Sequence, residues 1–349
     1  MKYYYKGKLN QIVIKKKTRL ANKVSNNTDV VTIRFSGDSG DGMQLTGNQF
    51  SNTSAIFGND LSTLPDFPAE IRAPQGTLYG VSSFQMQFGD REIYTPGDDL
   101  DVLVAMNPAG MKVHMEELKE NGILIINIDN FTPRNLTLAK WESNPIEDKT
   151  LLSKYRSITV PMTTLVKTAL EDFDLTPKEK MRSTNMFALG LVYWIYERKL
   201  DSTIDFLNKK FSKKPIIAES NIKALKTGYY YGETIEVIKT TYKVDKAKFD
   251  KGSYRNIMGN HALSLGLVAA SQKSNLGLFF AGYPITPASD ILKYLANYKN
   301  FGIKTFQAED EISAITSVLG AAFSGNLAVT ASSGPGIALK GEAIGLGVI

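Results

Sequence analysis

The sequence predicts an α/β protein built on mostly parallel sheet. Short apolar runs such as Asp101–Met106 and Leu276–Ala281 alternate with longer segments of helical period. Glycine- and proline-rich turns stand where those runs end. With 43% hydrophobic and 22% charged residues, 349 residues suffice for two to three packed cores.

Residues 1–29 carry eight Lys/Arg against Asp29 alone, a local charge of +7 within a total of +6. The basic balance therefore belongs to this segment, which reads as a flexible, solvated tail. Val30–Phe35 predicts a strand running into the turn Gly37–Gly42, and Met43–Phe57 the helix that follows. Further strands are expected at Val81–Phe88, Asp101–Met106, Gly122–Ile128 and Ser157–Val160, with a helix over Pro108–Leu118. Residues 176–197 predict one helix, capped by Thr176, with Pro177 at its first position and Glu179 completing a capping box. Its second half, from Met186, is apolar on nearly every side, as a buried helix is. More helix is expected through about Lys226. These elements make a first domain over 30–233, followed by a polar, lysine-rich linker over 234–256. A second α/β domain over 257–349 takes up strands Leu276–Ala281, Ile303–Gln307 and Leu327–Ala331, with helices between them. Three strands make a small α/β domain, and this one reads as truncated at Ile349.

Composition excludes several chemistries. There is no cysteine, hence no disulfide, thiolate zinc site or protein-ligated iron–sulfur cluster on this chain. Only His114 and His261 are present, which argues against a Ser/His/Asp triad or a histidine-rich metal site, and both read as ordinary surface or helix residues. No basic face interleaved with aromatics suggests nucleic acid. The longest apolar run, Met186–Tyr196, falls short of the roughly 18 residues of a membrane span, and a cytoplasmic protein is expected.

Five segments are candidates for function, each with a plainer structural reading beside it. Gly37-Asp38-Ser39-Gly40-Asp41-Gly42 could present backbone N–H groups to an anion, but its two aspartates oppose that and a tight turn is favoured. Asp66–Gly76 is an irregular, charged loop suited to a partner or to simple connection. Tyr283-Pro284-Ile285-Thr286-Pro287 and Ser332-Ser333-Gly334-Pro335-Gly336 both stand at strand ends, where α/β folds bind ligands and where rigid turns are also common. In Glu309-Asp310-Glu311, acids suit the first turn of a helix. At about 100° per residue, however, Glu311 falls in the stripe of Ile312, Ile315, Leu319 and Ala322, while Glu309 lies off it. A carboxyl on an apolar face is a competent proton partner, so Glu311 stands out from the residues alone.

The segments FSGDSGDGMQLTGNQF, LPDFPAEIRAPQGTLYGVSSFQ and PGDDLDVLVAMNPA resemble the gamma-type domain of 2-oxoacid:ferredoxin oxidoreductases. GYPITPASD, FQAEDEISAI and SSGPGIALKGEAIG resemble the start of the alpha subunit of the same enzymes. The order matches the gamma–alpha fusion of the 2-oxoglutarate type. The resemblance implies a gamma-type α/β domain followed by the first part of a thiamine diphosphate pyrimidine-type parallel α/β domain. It implies thiamine diphosphate shared with a beta subunit that carries Mg2+ and an iron–sulfur cluster, no metal on this chain, and ferredoxin reached through that subunit. The expected reaction is oxidative decarboxylation of a 2-oxoacid to its acyl-coenzyme A; the fusion points to 2-oxoglutarate, with branched-chain oxoacids and pyruvate left open.

By the same resemblance, Glu311 would serve the aminopyrimidine N1′ and Thr286 the reacting centre. Tyr283, Pro284, Ile285, Ser332, Ser333 and Gly334 would line the cofactor. The motif leaves Glu309 and Glu311 open, and the helical stripe selects Glu311. Two alternatives remain: a non-redox thiamine-dependent decarboxylase or transferase subunit, and an inactive fragment that only binds the partner subunit. Chain beyond Ile349 is expected for this family, and no turnover is expected from this chain alone.

Overall fold

The computed structural model describes residues 24–68, 73–235 and 240–348. They fall into two compact units that divide between Ser253 and Tyr254.

The first unit opens with β1 (Val24–Asn27), β2 (Val30–Asp38), α1 (Met43–Phe57), β3 (Asp60–Asp66) and β4 (Val81–Gly89). Next come β5 (Leu100–Ala105), α2 (Pro108–His114), β6 (Leu118–Asn127), α3 (Pro133–Leu138), α4 (Lys149–Ser153) and β7 (Arg156–Val160). It closes with α5 (Met162–Ala169), α6 (Pro177–Met181), α7 (Thr184–Ile195), α8 (Asp201–Lys210), α9 (Pro215–Thr234) and β8 (Thr240–Lys243). Six strands form one sheet in the order β3-β4-β2-β5-β6-β7. Pairing is parallel from β2 through β7 and antiparallel where β4 joins β2 and β3. Alternation along β5 divides the core. Val102 and Val104 pack with Ile33, Phe35, Phe50 and α7, whereas Leu103 and Ala105 pack with Met111, Leu124 and Ile126 on the opposite face.

Several sequence expectations are corrected here. Residues 1–23 lie outside the described residues, but Val24–Asn27 of the expected tail is a strand that pairs in parallel with β8. β8 itself lies in the stretch expected to be linker. Strand β3 was not anticipated, because Pro65 and three half-exposed polar positions hide its period. The helix expected over 176–197 is two helices. The capping box of Thr176 and Glu179 is present, but α6 ends at Met181 and α7 begins at Thr184. A single straight axis would have put an exposed polar turn and a wholly buried apolar helix on one line. Every residue of α7 is buried. It crosses α9 at backbone contact: a Cβ on Gly190 would lie 2.0 Å from the Leu225 carbonyl oxygen, and one on Gly228 2.0 Å from that of Phe187.

His114 is not a surface residue. It is 3% exposed and pairs with Arg34 and, at 3.0 Å, with Glu117. Burial and the neighbouring Arg34 cation hold its pKa below the usual imidazole value.

The second unit comprises α10 (Gly259–Ser274), β9 (Leu278–Gly282), α11 (Ser289–Ala296), β10 (Lys304–Gln307), α12 (Glu311–Phe323), β11 (Leu327–Thr330), α13 (Gly334–Leu339) and α14 (Gly341–Leu346). Its three strands are parallel in the order β10-β9-β11. Val268, Leu278, Phe280, Ile291, Leu295 and Ile303 form one small core, and Ala281, Tyr283, Ala308 and Ala314 another. His261 stacks on Tyr294 with ring centroids 4.4 Å apart. Among the described residues, no helix is long and apolar enough to cross a membrane.

Candidate functional site

β9 and β11 are adjacent and parallel, so the turns leaving them emerge at one edge of the sheet, the edge where α/β proteins bind ligands. Tyr283 follows β9 and Ser332 follows β11, and their hydroxyls are hydrogen-bonded at 2.8 Å. Gly336, in the first turn of α13, passes directly beneath this pair. A Cβ there would sit 2.2 Å from both the Ser332 and Tyr283 hydroxyl oxygens. The turn after Tyr283 is fixed by Ser289, whose Oγ accepts from the Ile285 N–H at 2.8 Å and donates to the Ile285 carbonyl at 2.7 Å. Ile285 packs with Ala281, Ala308, Ala314 and Val318, which ties the turn to α12. Pro284 and Thr286 stay exposed, and Ser333 is half-buried beside exposed Gly334.

At the start of α12, Asp310 is the N-cap and its carboxylate accepts from the Ser313 N–H at 2.8 Å. Glu309 and Asp310 are exposed, whereas Glu311 is half-buried. One helical turn further on, its face carries the buried Ala314 and Ile315. The stripe expected from sequence is shifted, since Ile312 is 51% exposed, yet Glu311 remains on the packed side.

Sequence reasoning missed Lys340. Its side chain is 1% exposed, its Nζ donates to Thr330 Oγ1 at 3.1 Å, and it lies 5.6 Å over the Tyr283 ring. Burial lowers its pKa, and the nearby Glu311 carboxylate partly offsets that. The available signal was its position four residues after Gly336, on the same side of α13. These strand ends thus carry a half-buried carboxyl, a bonded hydroxyl pair packed against a glycine, and a buried ammonium. That donor set fits the edge of a planar, nitrogen-bearing ring.

The first unit has its own strand-end cavity, of about 290 Å³, lined by Asp38, Asp41, Gly76, Asn107, Arg134 and Asn135 among others. The Gly37–Gly42 turn closes on its own acids: Asp41 Oδ2 accepts from the Asp38 N–H at 2.9 Å and Asp38 Oδ2 from the Gly76 N–H at 3.0 Å. Burial pushes both carboxyls up, Asp41 to about 6. This is the tight turn that the sequence favours over an anion cradle. In the Asp66–Gly76 loop, residues 69–72 lie outside the described residues. Among the described residues, no three His, Asp or Glu side chains cluster to hold a metal ion.

Residues 32–231, more than half of the chain, match the sequence profile of pyruvate ferredoxin/flavodoxin oxidoreductase. The chain belongs to the pyruvate ferredoxin/flavodoxin oxidoreductase family. Residues 273–349 match the thiamine diphosphate-binding domain of these oxidoreductases, and it is this segment that carries Tyr283, Glu311, Ser332 and Lys340. The fold is therefore a gamma-type α/β domain followed by part of a thiamine diphosphate-binding domain.

Among relatives, the chain is similar to 2-oxoglutarate oxidoreductase subunit KorA of Mycobacterium tuberculosis, with 54% identity over 319 residues covering 91% of this chain and 49% of the relative. It is also similar to 2-oxoacid:ferredoxin oxidoreductase 1, subunit alpha, of Aeropyrum pernix, with 25% identity covering 73% of this chain and 43% of that one. A solved 2-oxoglutarate:ferredoxin oxidoreductase from Magnetococcus marinus, with 2-oxoglutarate, coenzyme A and succinyl-CoA bound, aligns with a TM-score of 0.65. Its identity is 26%, over 90% of this chain and 49% of the other. The chain spans about half the length of the relatives it matches.

Proposed function

We propose that the chain is the alpha subunit, in gamma–alpha order, of a cytoplasmic thiamine diphosphate-dependent 2-oxoacid:ferredoxin oxidoreductase. The assembled enzyme converts 2-oxoglutarate and coenzyme A to succinyl-coenzyme A and carbon dioxide and passes the two electrons released to ferredoxin. The observation that carries the reading is the half-buried Glu311 carboxyl at the head of α12, in the same unit as the strand-end turns whose Tyr283 and Ser332 hydroxyls pack against Gly336. The name of the 54% identical relative supports 2-oxoglutarate as substrate. As the family resemblance implies, a beta subunit carries the iron–sulfur cluster, the diphosphate and its Mg2+, and the absence of cysteine from these 349 residues agrees with that division.

When bound, thiamine diphosphate supplies the carbon nucleophile and electron sink of the decarboxylation. Glu311 holds or releases a proton at the pyrimidine N1′, a role suited to an acid on a packed helix face. Tyr283, Pro284 and Ile285 of one turn and Ser332, Ser333 and Gly334 of the neighbouring turn, joined through the Tyr283–Ser332 hydroxyl pair, would line the cofactor. Thr286, exposed at the tip of the turn, meets the reacting end. The division into a gamma-type domain over 30–233, a connection over 234–256 and a cofactor domain from 257 is part of this reading.

The test uses the assembled enzyme, stripped of cofactor and titrated with thiamine diphosphate, then assayed for ferredoxin reduction by 2-oxoglutarate. Gly336→Ala, which places a methyl group against both hydroxyls, is expected to weaken cofactor binding by about tenfold or more, which is about 1.4 kcal/mol. Wild-type protein that binds no thiamine diphosphate refutes the reading.

A further inference from the structure

Lys340 has no assigned task at these strand ends, yet it is the most completely buried lysine among the described residues. Its ammonium meets the two turns that carry the candidate ligand residues. Nζ donates to Thr330 Oγ1 at 3.1 Å, at the end of β11, and stands 5.6 Å over the face of the Tyr283 ring, just past the end of β9. The Lys340 backbone N–H donates to the Gly336 carbonyl at 3.2 Å, and Gly336 packs against the Tyr283 and Ser332 hydroxyls. Among the described residues no carboxylate forms an ion pair with Lys340. The ring and Thr330 are what hold the cation in place.

These contacts join into one chain of polar groups, and burial gives it a direction. Lys340 is 1% exposed and Tyr283 7%, whereas Ser332 is half-buried. Ser332 is thus the member that reaches the ligand edge of the sheet. Its hydroxyl and that of Tyr283, 2.8 Å apart, use one proton between them. A phenol is a much stronger acid than an aliphatic alcohol, and so the better donor of such a pair. An ammonium above the ring draws electron density toward the ring face, which favours the same direction. Tyr283 therefore donates and Ser332 accepts. The Ser332 proton is left for a ligand.

We propose that Ser332 is a hydrogen-bond donor to an acceptor atom of the bound cofactor, and that Lys340 is the positioning residue that sets this direction through Tyr283. The proposal rests on the cofactor reading above and deepens it, because the Ser332 turn then offers a directed bond as well as a lining. Without the ammonium the ring loses its clamp and the hydroxyl pair can reverse. Ser332 would then donate inward to Tyr283 and offer the ligand only lone pairs.

The experiment strips the assembled enzyme of cofactor and measures the dissociation constant of thiamine diphosphate by titration calorimetry. Ser332→Ala is expected to raise it about tenfold, and Lys340→Met and Tyr283→Phe about three- to fivefold each. Combined with Ser332→Ala, neither of the other two weakens binding further, since both act through the one hydroxyl. Lys340→Arg, which keeps a cation for the ring and a donor for Thr330, recovers most of the lost affinity. If Lys340→Met misfolds, Thr330→Val, which removes the acceptor that fixes Nζ, takes its place in the same cycle with the same non-additivity expected. Losses that add in full in the double variants overturn the proposal. So does a folded Ser332→Ala or Lys340→Met enzyme that binds the cofactor as tightly as wild type. Wild type that binds no thiamine diphosphate refutes the underlying function instead, so the two failures are distinguishable.

Discussion

The two units differ in what their buried residues do. In the first, large rings meet edge to face in the interior, Phe50 with Phe88 at 5.4 Å and Phe88 with Tyr196 at 5.5 Å, and α7 is buried on every side. In the second, two small clusters hold three strands, and Phe323 is 98% exposed with Ile312 and Leu346 also largely so. The unit with the larger core keeps its turn acids bonded to its own backbone. The unit with the smaller core places a carboxyl, an ammonium and a hydroxyl pair at its strand ends. Stability and proposed chemistry are therefore separable by mutation.

The largest expected effect is Gly228→Val. Its Cβ would overlap the Phe187 carbonyl, and helix backbones cannot yield as side chains do, so unit 1 should lose about 3 kcal/mol or more in denaturant unfolding. A loss below about 1 kcal/mol would show that α7 and α9 separate freely and that the first unit is less rigid than its packing implies. Next is Glu311→Gln in the assembled enzyme. The change is nearly isosteric on a half-buried position, so stability should move by less than about 0.5 kcal/mol while turnover falls about a hundredfold. Equal losses of stability and turnover would break the separation of the two units' roles.

How much was legible in the sequence follows the same division. The strand-end turns, the capping box at Thr176 and the placement of Glu311 were readable because each depends on residues close in the chain. Strand β3 was not, since its pairing with β4 is antiparallel and its alternation is interrupted by Pro65. β1 and β8 were missed for a related reason: each becomes a strand only by pairing with the other, more than two hundred residues away. Lys340 was missed and His114 misjudged because burial of a charged or polar side chain depends on which elements close over it. Arg34 reaches His114 from a strand far back in the sequence, and Thr330 and Tyr283 reach Lys340 from two different turns. The resemblance to a known family supplied what periodicity could not, namely which ligand the strand ends would take.

A pH experiment sharpens the comparison further. The folded pKa of Asp41 is about 6 against 3.8, because burial disfavours its charge. The folded chain thus binds this proton more tightly than the unfolded chain, so unit 1 loses stability as pH rises from about 4 to about 6, by on the order of 3 kcal/mol, and levels off above. Asp41→Asn keeps an acceptor for the Asp38 N–H and has nothing to ionise. Its unfolding free energy should fall much less across that window than that of wild type, the remaining slope coming from Asp38, which burial also raises. An identical slope in both proteins would place the titration elsewhere.

The smallest effect comes from making one substitution in both units. Tyr193→Phe removes a fully buried hydroxyl bonded to Thr53 at 2.8 Å, Thr203 at 2.7 Å and the Gln49 carbonyl at 3.1 Å. Those partners cannot reach water, so about 2 kcal/mol should be lost. Tyr283→Phe removes a hydroxyl with one partner, Ser332, which is half-buried and can turn to solvent. Its cost should be about 0.5–1 kcal/mol, read from hydrogen exchange of the β9 and β11 amides. If Tyr283→Phe proves the costlier change, the hydroxyl pair is a structural tie of the second unit rather than part of a ligand wall.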